Sequence, residues 1–521
     1  MERTQAGHVG VGTGAWVLAA TVLASSMAFI DGSALNVALP AIQASLGADG
    51  ADLLWIVNSY AIVLAALILV GGALGDRFGR RLIFGLGIAL FALASLACGL
   101  APSVPLLIAA RAAQGVGGAL MVPGSLALIS ANFSDAERGR AIGTWSAVTT
   151  MTTILGPGLG GVLAGAGLWR GIFFINLPLA ALAVFALRRV PESRDEAAPA
   201  HLDYLGASLA TAGLAGVTFG LLEVPARGWG SPLVLGTMIG GALALAAFVA
   251  VEARSPNAML PLSLFRSRTF SGANLLTLFL YAALYGVLFF LPLNLVQVQG
   301  YSESLAGLAT LPMALFLALL SRRTGALADR FGPRVPLTVG PALAGLGFAA
   351  MALPGLTAGP ADYWTSFFPA LCLLGLGMAI TVAPLSAAVM GAVPQGRAGV
   401  ASGVNNAVSR TAGVLAVAVM GLAALLLFAA SLHARAVAAE LPDPVLQALA
   451  QAAPQLGAAA PPAGLPEPQQ IAAEQAIKLA FVDTFRTLAW ASAALAWVSA
   501  GVAWLMLGGR AHDDERPTTD D

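Results

Sequence analysis

The sequence predicts an all-α polytopic membrane protein with fourteen membrane-spanning helices in two related halves. Hydrophobic residues make up 58% of its 521 positions and charged residues only 10%, whereas a soluble chain carries about a quarter charged residues. The apolar residues form long continuous runs, and one charged, glycine-rich turn occurs twice. These three observations favour a chain embedded in lipid over a set of globular domains.

The apolar runs are long enough for helices. A membrane-spanning helix needs roughly 20 apolar residues, whereas a barrel strand is shorter and alternates in polarity. Numbered 1 to 14 in order, the predicted spans are 15–39, 52–73, 82–101, 104–130, 139–164, 170–189, 203–222, 232–252, 269–298, 303–321, 336–354, 364–390, 398–428 and 480–507. The first run is too long for the apolar core of a cleavable signal peptide, so we expect a retained first span.

Basic residues fall on alternate connections between these spans. One set of connections holds most of the arginines, whereas the other holds only Arg170, Arg227, Arg435 and Lys478. Positive charge is enriched on the cytoplasmic side of membrane proteins. We therefore expect the arginine-rich connections and both termini to be cytoplasmic, in a cell membrane.

The duplicated turn divides the chain. Residues 72–81 (GALGDRFGRR) and 325–334 (GALADRFGPR) share eight of ten positions, which predicts a duplicated unit whose two halves move against each other. The copies are eight spans apart, so spans 7 and 8 are expected as an insertion. The predicted units are a six-helix bundle at 1–190, a linker with two inserted helices at 191–254, and a six-helix bundle at 255–521. Within the last, residues 430–475 are expected outside the membrane, and 442–470 is interpreted as a loosely ordered loop, partly helical at its ends.

The composition excludes several function classes. The net charge is zero, so nothing indicates a nucleic-acid partner. Cys98 and Cys372 both fall in apolar runs, and neither a metal-ligand spacing nor a nucleotide-binding P-loop occurs. We expect no cofactor, and as partners a small-molecule substrate, protons and the lipid bilayer around a monomer.

Four further motifs accompany the turn and carry a family resemblance. They are 30–40 (IDGSALNVALP) in span 1, 107–118 (LIAARAAQGVGG) in span 4, 155–161 (LGPGLGG) in span 5 and 264–270 (LFRSRTF) ahead of span 9. With the turn, they resemble the major facilitator superfamily, and within it the fourteen-span drug:proton antiporters, over nearly the whole chain.

That resemblance implies the major facilitator fold and a function. The expected function is proton-coupled export of small amphipathic organic compounds by alternating access. A nutrient symporter is the alternative among transporters, although the span 5 motif speaks against it. A channel and a lipid-modifying membrane enzyme are the alternatives from other classes; the enzyme would need clustered catalytic groups near an interface.

Asp31 and Arg111 are the candidates for proton coupling. Each lies about eight residues, or about 12 Å, below the predicted outer surface, on spans 1 and 4. Charges at that depth normally face a cavity or each other. They are either a static ion pair or, as the resemblance implies, a site where Asp31 gains and loses a proton.

The resemblance also assigns a gating loop and an antiporter motif. The gating loop comprises Gly72, Gly75, Asp76, Arg77, Gly79 and Arg80, with Asp329 and Arg330 in the second copy. It is either a solvated charge cluster or a latch that stabilises one arrangement of the halves. The antiporter motif comprises Gly156, Pro157, Gly160 and Gly161, where proline bends the helix and glycines allow close approach; the resemblance associates this kink with export.

Polar and aromatic residues within the spans are candidates for a substrate cavity, with helix packing or interfacial anchoring as the alternative for each. They are Asn36, Asn58, Trp145, Tyr281, Tyr285, Asn294, Asn405, Asn406 and Arg410. Near span ends, we expect Glu223 and Glu252 to be solvated, and Asp483 to pair with Arg486 one turn away.

Overall fold

A computed structural model describes residues 11–194, 203–255, 258, 260–393 and 398–508. All regular secondary structure within these ranges is helical. The α-helices are α1 (Val11–Leu46), α2 (Gly50–Phe78), α3 (Arg80–Leu100), α4 (Val104–Asn132), α5 (Asp135–Gly165), α6 (Gly171–Phe174), α7 (Asn176–Leu187), α8 (Tyr204–Arg227), α9 (Pro232–Glu252), α10 (Arg268–Leu293), α11 (Glu303–Ala309), α12 (Leu311–Phe331), α13 (Arg334–Met351), α14 (Phe367–Gly391), α15 (Ala398–Ala438), α16 (Asp443–Ala452) and α17 (Glu467–Met506). A π-helix (Asn294–Val298) continues α10, and short 3-10 helices occupy Leu262–Arg266, Gly359–Asp362 and Ala453–Ala458.

The helices coincide with the predicted spans. In the described part of the chain, twelve helices are long and apolar enough to cross a membrane. Two shorter apolar stretches, Met151–Gly165 in α5 and Gly171–Leu187 in α6 and α7, lie at predicted spans 5 and 6. The predicted fourteen-helix membrane fold is confirmed.

Two bundles are visible in the packing. Helices α1 to α7 pack around a core that includes Val17, Phe84 and Phe91, whereas α10 to α15 and α17 form the second bundle. The inserted helix α8 contacts both, since Leu214 packs with Ile62 of α2 and with Val414 of α15. Helix α9 lies against α8 on its outer side and has large exposed apolar side chains. The insertion therefore covers the seam between α2 and α15.

The bundles meet at the helix ends remote from the arginine-rich connections, which we call the sealed end. There Gln297 Nε2 donates to Gln43 Oε1 at 2.8 Å, and Gln43 Nε2 donates to the carbonyl oxygen of Gln455 at 3.1 Å. Ser304 Oγ donates to the carbonyl oxygen of Gly161 at 3.2 Å. Each contact joins the first bundle to the second.

The interpretation of 442–470 as a loosely ordered loop, partly helical at its ends, is wrong. Helix α15 continues to Ala438, α16 and a 3-10 helix follow, and α17 begins at Glu467. Val445 and Leu449, one turn apart on α16, and Leu456 are buried. The segment is rich in alanine and proline, yet these few apolar side chains suffice to pack it against the sealed end.

Two expectations about charged residues near span ends are also wrong. Asp483 Oδ2 accepts from Arg435 Nε at 2.7 Å, while Arg486 donates instead to the carbonyl oxygen of Ala352. Glu252 is 3% exposed and accepts from the backbone N–H of Leu260 at 2.7 Å. Tertiary partners from other elements replace the local or solvated contacts that the sequence suggested.

Candidate functional site

Asp31 and Arg111 form an ion pair inside the first bundle. Asp31 on α1 is 0% exposed and Arg111 on α4 is 1% exposed, and Arg111 Nη1 donates directly to Asp31 Oδ2. Arg111 Nε also donates to the carbonyl oxygen of Ile56 on α2 at 3.2 Å. The expected meeting of these two deep charges is therefore observed, and the pair ties three helices together.

Gln114 completes the pair. One turn along α4 from Arg111, its Oε1 accepts from Arg111 Nη1 at 2.6 Å, and its Nε2 donates to Asp31 Oδ1 at 2.8 Å. Its Nε2 also donates to Ser95 Oγ on α3 at 2.9 Å, and Ser95 Oγ accepts from Asn176 on α7. The amide thus bridges both members of the ion pair and links them to two further helices.

Aromatic rings cover the guanidinium. The Arg111 guanidinium carbon lies 4.4 Å from the ring centroid of Tyr60 and 6.0 Å from that of Phe173. An aromatic face attracts a cation, more strongly where water is excluded. Arg111 therefore has stabilising contacts that do not depend on Asp31.

Arg111 has partners that are independent of the charge on Asp31. Removing one partner of a buried ion pair typically costs about 3–5 kcal/mol, because the other charge is left uncompensated. If Asp31 takes up a proton, Arg111 keeps the Ile56 carbonyl, the Gln114 amide oxygen and two aromatic faces.

The structure brings part of the predicted cavity set together on α10 and α15. Asn405 Nδ2 donates to Thr277 Oγ1 at 2.7 Å. The rings of Tyr281 and Tyr285 have centroids 6.1 Å apart. A Cβ added to Gly413, one turn from Arg410, would lie 2.8 Å from Tyr285 Cδ2, so Tyr285 packs directly on α15.

Other members of the set are placed differently. Asn58 and Asn294 are 0% and 2% exposed and so do not line an open cavity in this conformation. Trp145 Nε1 donates to Ser25 Oγ on α1 at 3.0 Å. Asn36 is partly exposed, and Asn406 is exposed and donates to the carbonyl oxygen of Ser402 on its own helix.

The glycines of the antiporter motif lie where helix backbones touch. An added Cβ would lie 1.8 Å from Ser33 Oγ at Gly156 and 2.3 Å from the Ala34 carbonyl oxygen at Gly160, both on α1. At Gly161 it would lie 2.4 Å from the Glu303 carbonyl oxygen of the second bundle. At the sealed end, the glycines of span 5 therefore let its backbone lie directly against α1 of its own bundle and α11 of the second bundle.

The gating loop is braced by a residue that the sequence did not indicate. Most of the predicted turn is helical, because α2 runs to Phe78 and α3 begins at Arg80, with Gly79 alone between them. Asp76 Oδ1 accepts from Arg80 Nε at 2.8 Å across this junction. The Glu192 carboxylate accepts from the backbone N–H groups of Arg81 and Leu82 at 2.9 and 3.0 Å. It thus caps the first turn of α3, where Gly79 offers no side-chain cap.

The remaining loop residues make fewer contacts. Gly72 packs near the ring of Pro123, Gly75 is buried, and Arg77 is exposed with its guanidinium 5.2 Å from the Phe78 ring. The side chains of Asp329 and Arg330 lie outside the described residues. The latch that would stabilise one arrangement of the two halves stays a prediction.

Replacing Gly79 with alanine should slow transport by displacing this loop. Gly79 has φ +120°, a conformation that side chains rarely adopt, and its added Cβ would lie 2.8 Å from the Glu192 carboxylate carbon. The initial export rate in cells, corrected for protein in the membrane, measures the effect. Gly143→Ala is the control, because a Cβ there meets nothing within 4 Å; equal rates for both variants would remove the loop from the mechanism.

Two residues of the site could have been found from the sequence. Gln114 lies three residues after Arg111 in the span 4 motif, a spacing that puts both on one helix face. Glu192 follows the last predicted span of the first bundle, beside the turn on the same membrane side. Tyr60, Ser95 and Asn176 carry no such signal, since each is a single residue in an apolar run.

Comparisons with known proteins agree with this architecture. The sequence model of the family described as Major Facilitator Superfamily matches residues 21–417. The chain is similar to "Multidrug resistance protein Stp" of Mycobacterium tuberculosis, with 38% identity over 82% of this chain and 79% of the relative. It is also similar to "Tetracenomycin C resistance and export protein" of Streptomyces glaucescens, with 35% identity over 78% of this chain and 74% of the relative.

Among solved structures, a bacterial homolog of the human lysosomal transporter Spinster, in an inward-facing and unoccupied conformation, is similar in fold. Its TM-score is 0.66 at 19% sequence identity, over 96% of this chain and 100% of that chain. At this identity the likeness concerns the arrangement of helices.

Proposed function

Because the chain belongs to the Major Facilitator Superfamily and is a transporter, we propose that it exports drug-like or antibiotic compounds in exchange for protons, by alternating access. The names of its relatives, which include resistance and export proteins, support the export of such compounds. The observation that carries proton coupling is the buried Asp31–Arg111 pair, whose surroundings stabilise the arginine in either charge state of the acid. The proton gradient is then the energy source, with no bound cofactor.

The proposed orientation follows from the arginines. The arginine-rich connections and both termini face the cytoplasm, the sealed end faces outward, and the protein works as a monomer in the cell membrane. The proposal assigns the chain, within its superfamily, to the fourteen-span drug:proton antiporters. The span 5 motif supports export over nutrient symport, because the family resemblance associates it with exporters. Within it, Gly161 contacts the Glu303 backbone of the second bundle at the outward end.

In the proposed cycle, Asp31 takes up a proton when the sealed end opens and releases it when the arginine-rich end opens. A carrier that changes conformation only with a proton or a compound bound exchanges one for the other. Gln114 acts as a positioning residue here, since it is hydrogen-bonded to both Asp31 and Arg111.

Expression in a bacterial host that lacks its own drug exporters tests this function. We expect the host to tolerate higher concentrations of at least one antibiotic and to accumulate less of it. Collapse of the proton gradient with a protonophore should restore accumulation, because exchange loses its driving force. Accumulation that stays low without the gradient would contradict proton coupling, and accumulation that never falls for any compound of a broad panel would contradict drug export.

A further inference from the structure

Arg410 carries a charge inside the membrane region, and the described part of the chain provides no partner for it. It lies twelve residues, or about 18 Å, along α15 from Ala398. Its side chain is partly exposed and forms no hydrogen bond or ion pair with any residue that the structure describes. An intramembrane charge is costly and, by default, marks a functional site that supplies its partner.

The neighbours of Arg410 place it at the seam between the bundles. Gly413 and Val414, three and four residues on, share its side of α15. Gly413 lies under the Tyr285 ring of α10, and Val414 packs with Ile62 of α2. Arg410 therefore lies between a tyrosine pair of the second bundle and helix α2 of the first.

The seam also reaches the ion pair of the first bundle. Tyr60 on α2 lies within electrostatic range of Arg410 as well as of Asp31 and Arg111. The charges of Asp31 and Arg111 compensate each other through a direct hydrogen bond. Among these three residues, the charge of Arg410 therefore remains as one net positive charge near the seam. A bound compound meets that charge beside the rings of Tyr281 and Tyr285.

We propose that Arg410 sets the charge selectivity of the transport site, admitting uncharged aromatic compounds with two adjacent oxygen acceptors and repelling cationic ones. The planar guanidinium offers paired donors that match two such oxygens, and the tyrosine rings offer a surface for the aromatic part. The inference rests on the proposed exchange with protons. An anion would also pair with Arg410. Its negative charge would, however, attract the proton that is exchanged, so the anion and the proton would cross the membrane together and not in opposite directions.

Two probes with one ring system test this selectivity. Methyl 1-methoxy-2-naphthoate is uncharged with two adjacent oxygens, and 1-naphthylmethylamine is cationic at neutral pH. Their affinities for the full-length protein in lipid nanodiscs can be measured by titration. We expect the ester to bind the wild type and Arg410→Gln to weaken it by about tenfold or more, since hydrogen bonds to charged groups contribute about 1.5–3 kcal/mol. The same variant should strengthen binding of the amine, because repulsion is removed.

Further variants separate charge from geometry. Arg410→Lys should still reject the amine but bind the ester more weakly, because an ammonium group lacks the planar pair of donors. Arg227→Gln removes an exposed arginine at the sealed end and should keep both affinities. Failure of the ester to bind the wild type, or the same preference in Arg410→Gln as in the wild type, would overturn the proposal. These affinities are measured without a proton gradient. The binding test can therefore fail while gradient-driven export succeeds, and export can fail while the binding test succeeds.

Discussion

Asp31→Asn should abolish export driven by a proton gradient while the protein stays inserted in the membrane. Asparagine keeps the size of the side chain, and its single amide oxygen can still accept from Arg111, while its NH2 group faces the Gln114 amide and that hydrogen bond is lost. It cannot bind and release a proton in the working pH range. Efflux of a transported antibiotic from proteoliposomes under an imposed pH gradient should fall to the level of protein-free vesicles.

Two variants sharpen that test. Asp31→Glu keeps an acid and should retain part of the export, because a proton can still be exchanged at a displaced carboxylate. Asp443→Asn removes an exposed acid at the sealed end and should export as the wild type does. Gradient-driven export by Asp31→Asn at the wild-type rate would show that this ion pair is only structural.

The second large effect is expected at Gly161, where Gly161→Ala should prevent tight closure of the sealed end. Its added Cβ would lie 2.4 Å from the carbonyl oxygen of Glu303, and a backbone atom cannot swing away as a side chain does. Overpacking of this kind costs about 1–3 kcal/mol, so the export rate should fall by about tenfold. Alanine favours helix over glycine, so insertion and folding of α5 should not suffer.

Gly158→Ala is the matched control on the same helix. Its added Cβ would meet only the side-chain end of Leu308, at 3.8 Å, which is ordinary contact. Export should be near the wild-type rate in this variant. An equal loss in both variants would mean that span 5 needs glycine for flexibility and not for contact with α11.

The spans and the buried pair were predictable because single, strong physical effects fix them. A long apolar run has to be a membrane helix, and two charges about 12 Å deep on neighbouring spans have to find partners. The antiporter glycines were predictable as contact points, although the sequence did not reveal which helices they touch. The structure shows that these glycines contact α1 and α11.

The rest depends on partners that are distant in sequence. Glu192 caps α3 from 111 positions beyond Arg81, and Asp483 pairs with Arg435 of another helix instead of the nearby Arg486. The packing of 430–475 depended on a few apolar side chains in a segment whose composition is typical of a loop. For Asp483, local spacing gave a plausible contact and tertiary packing supplied a different one.

The central claim is that the two bundles separate at the sealed end under control of the proton on Asp31. Spin labels at Ala166 and Leu305, both exposed and on either side of the Gly161–Ser304 contact, report this separation by double electron–electron resonance, with Cys98 and Cys372 replaced by alanine. We predict a short and a long distance whose proportions change between acidic and alkaline buffer, and proportions that are fixed in Asp31→Asn. A single distance at every pH in the wild type, or a pH response that persists in Asp31→Asn, would contradict the account.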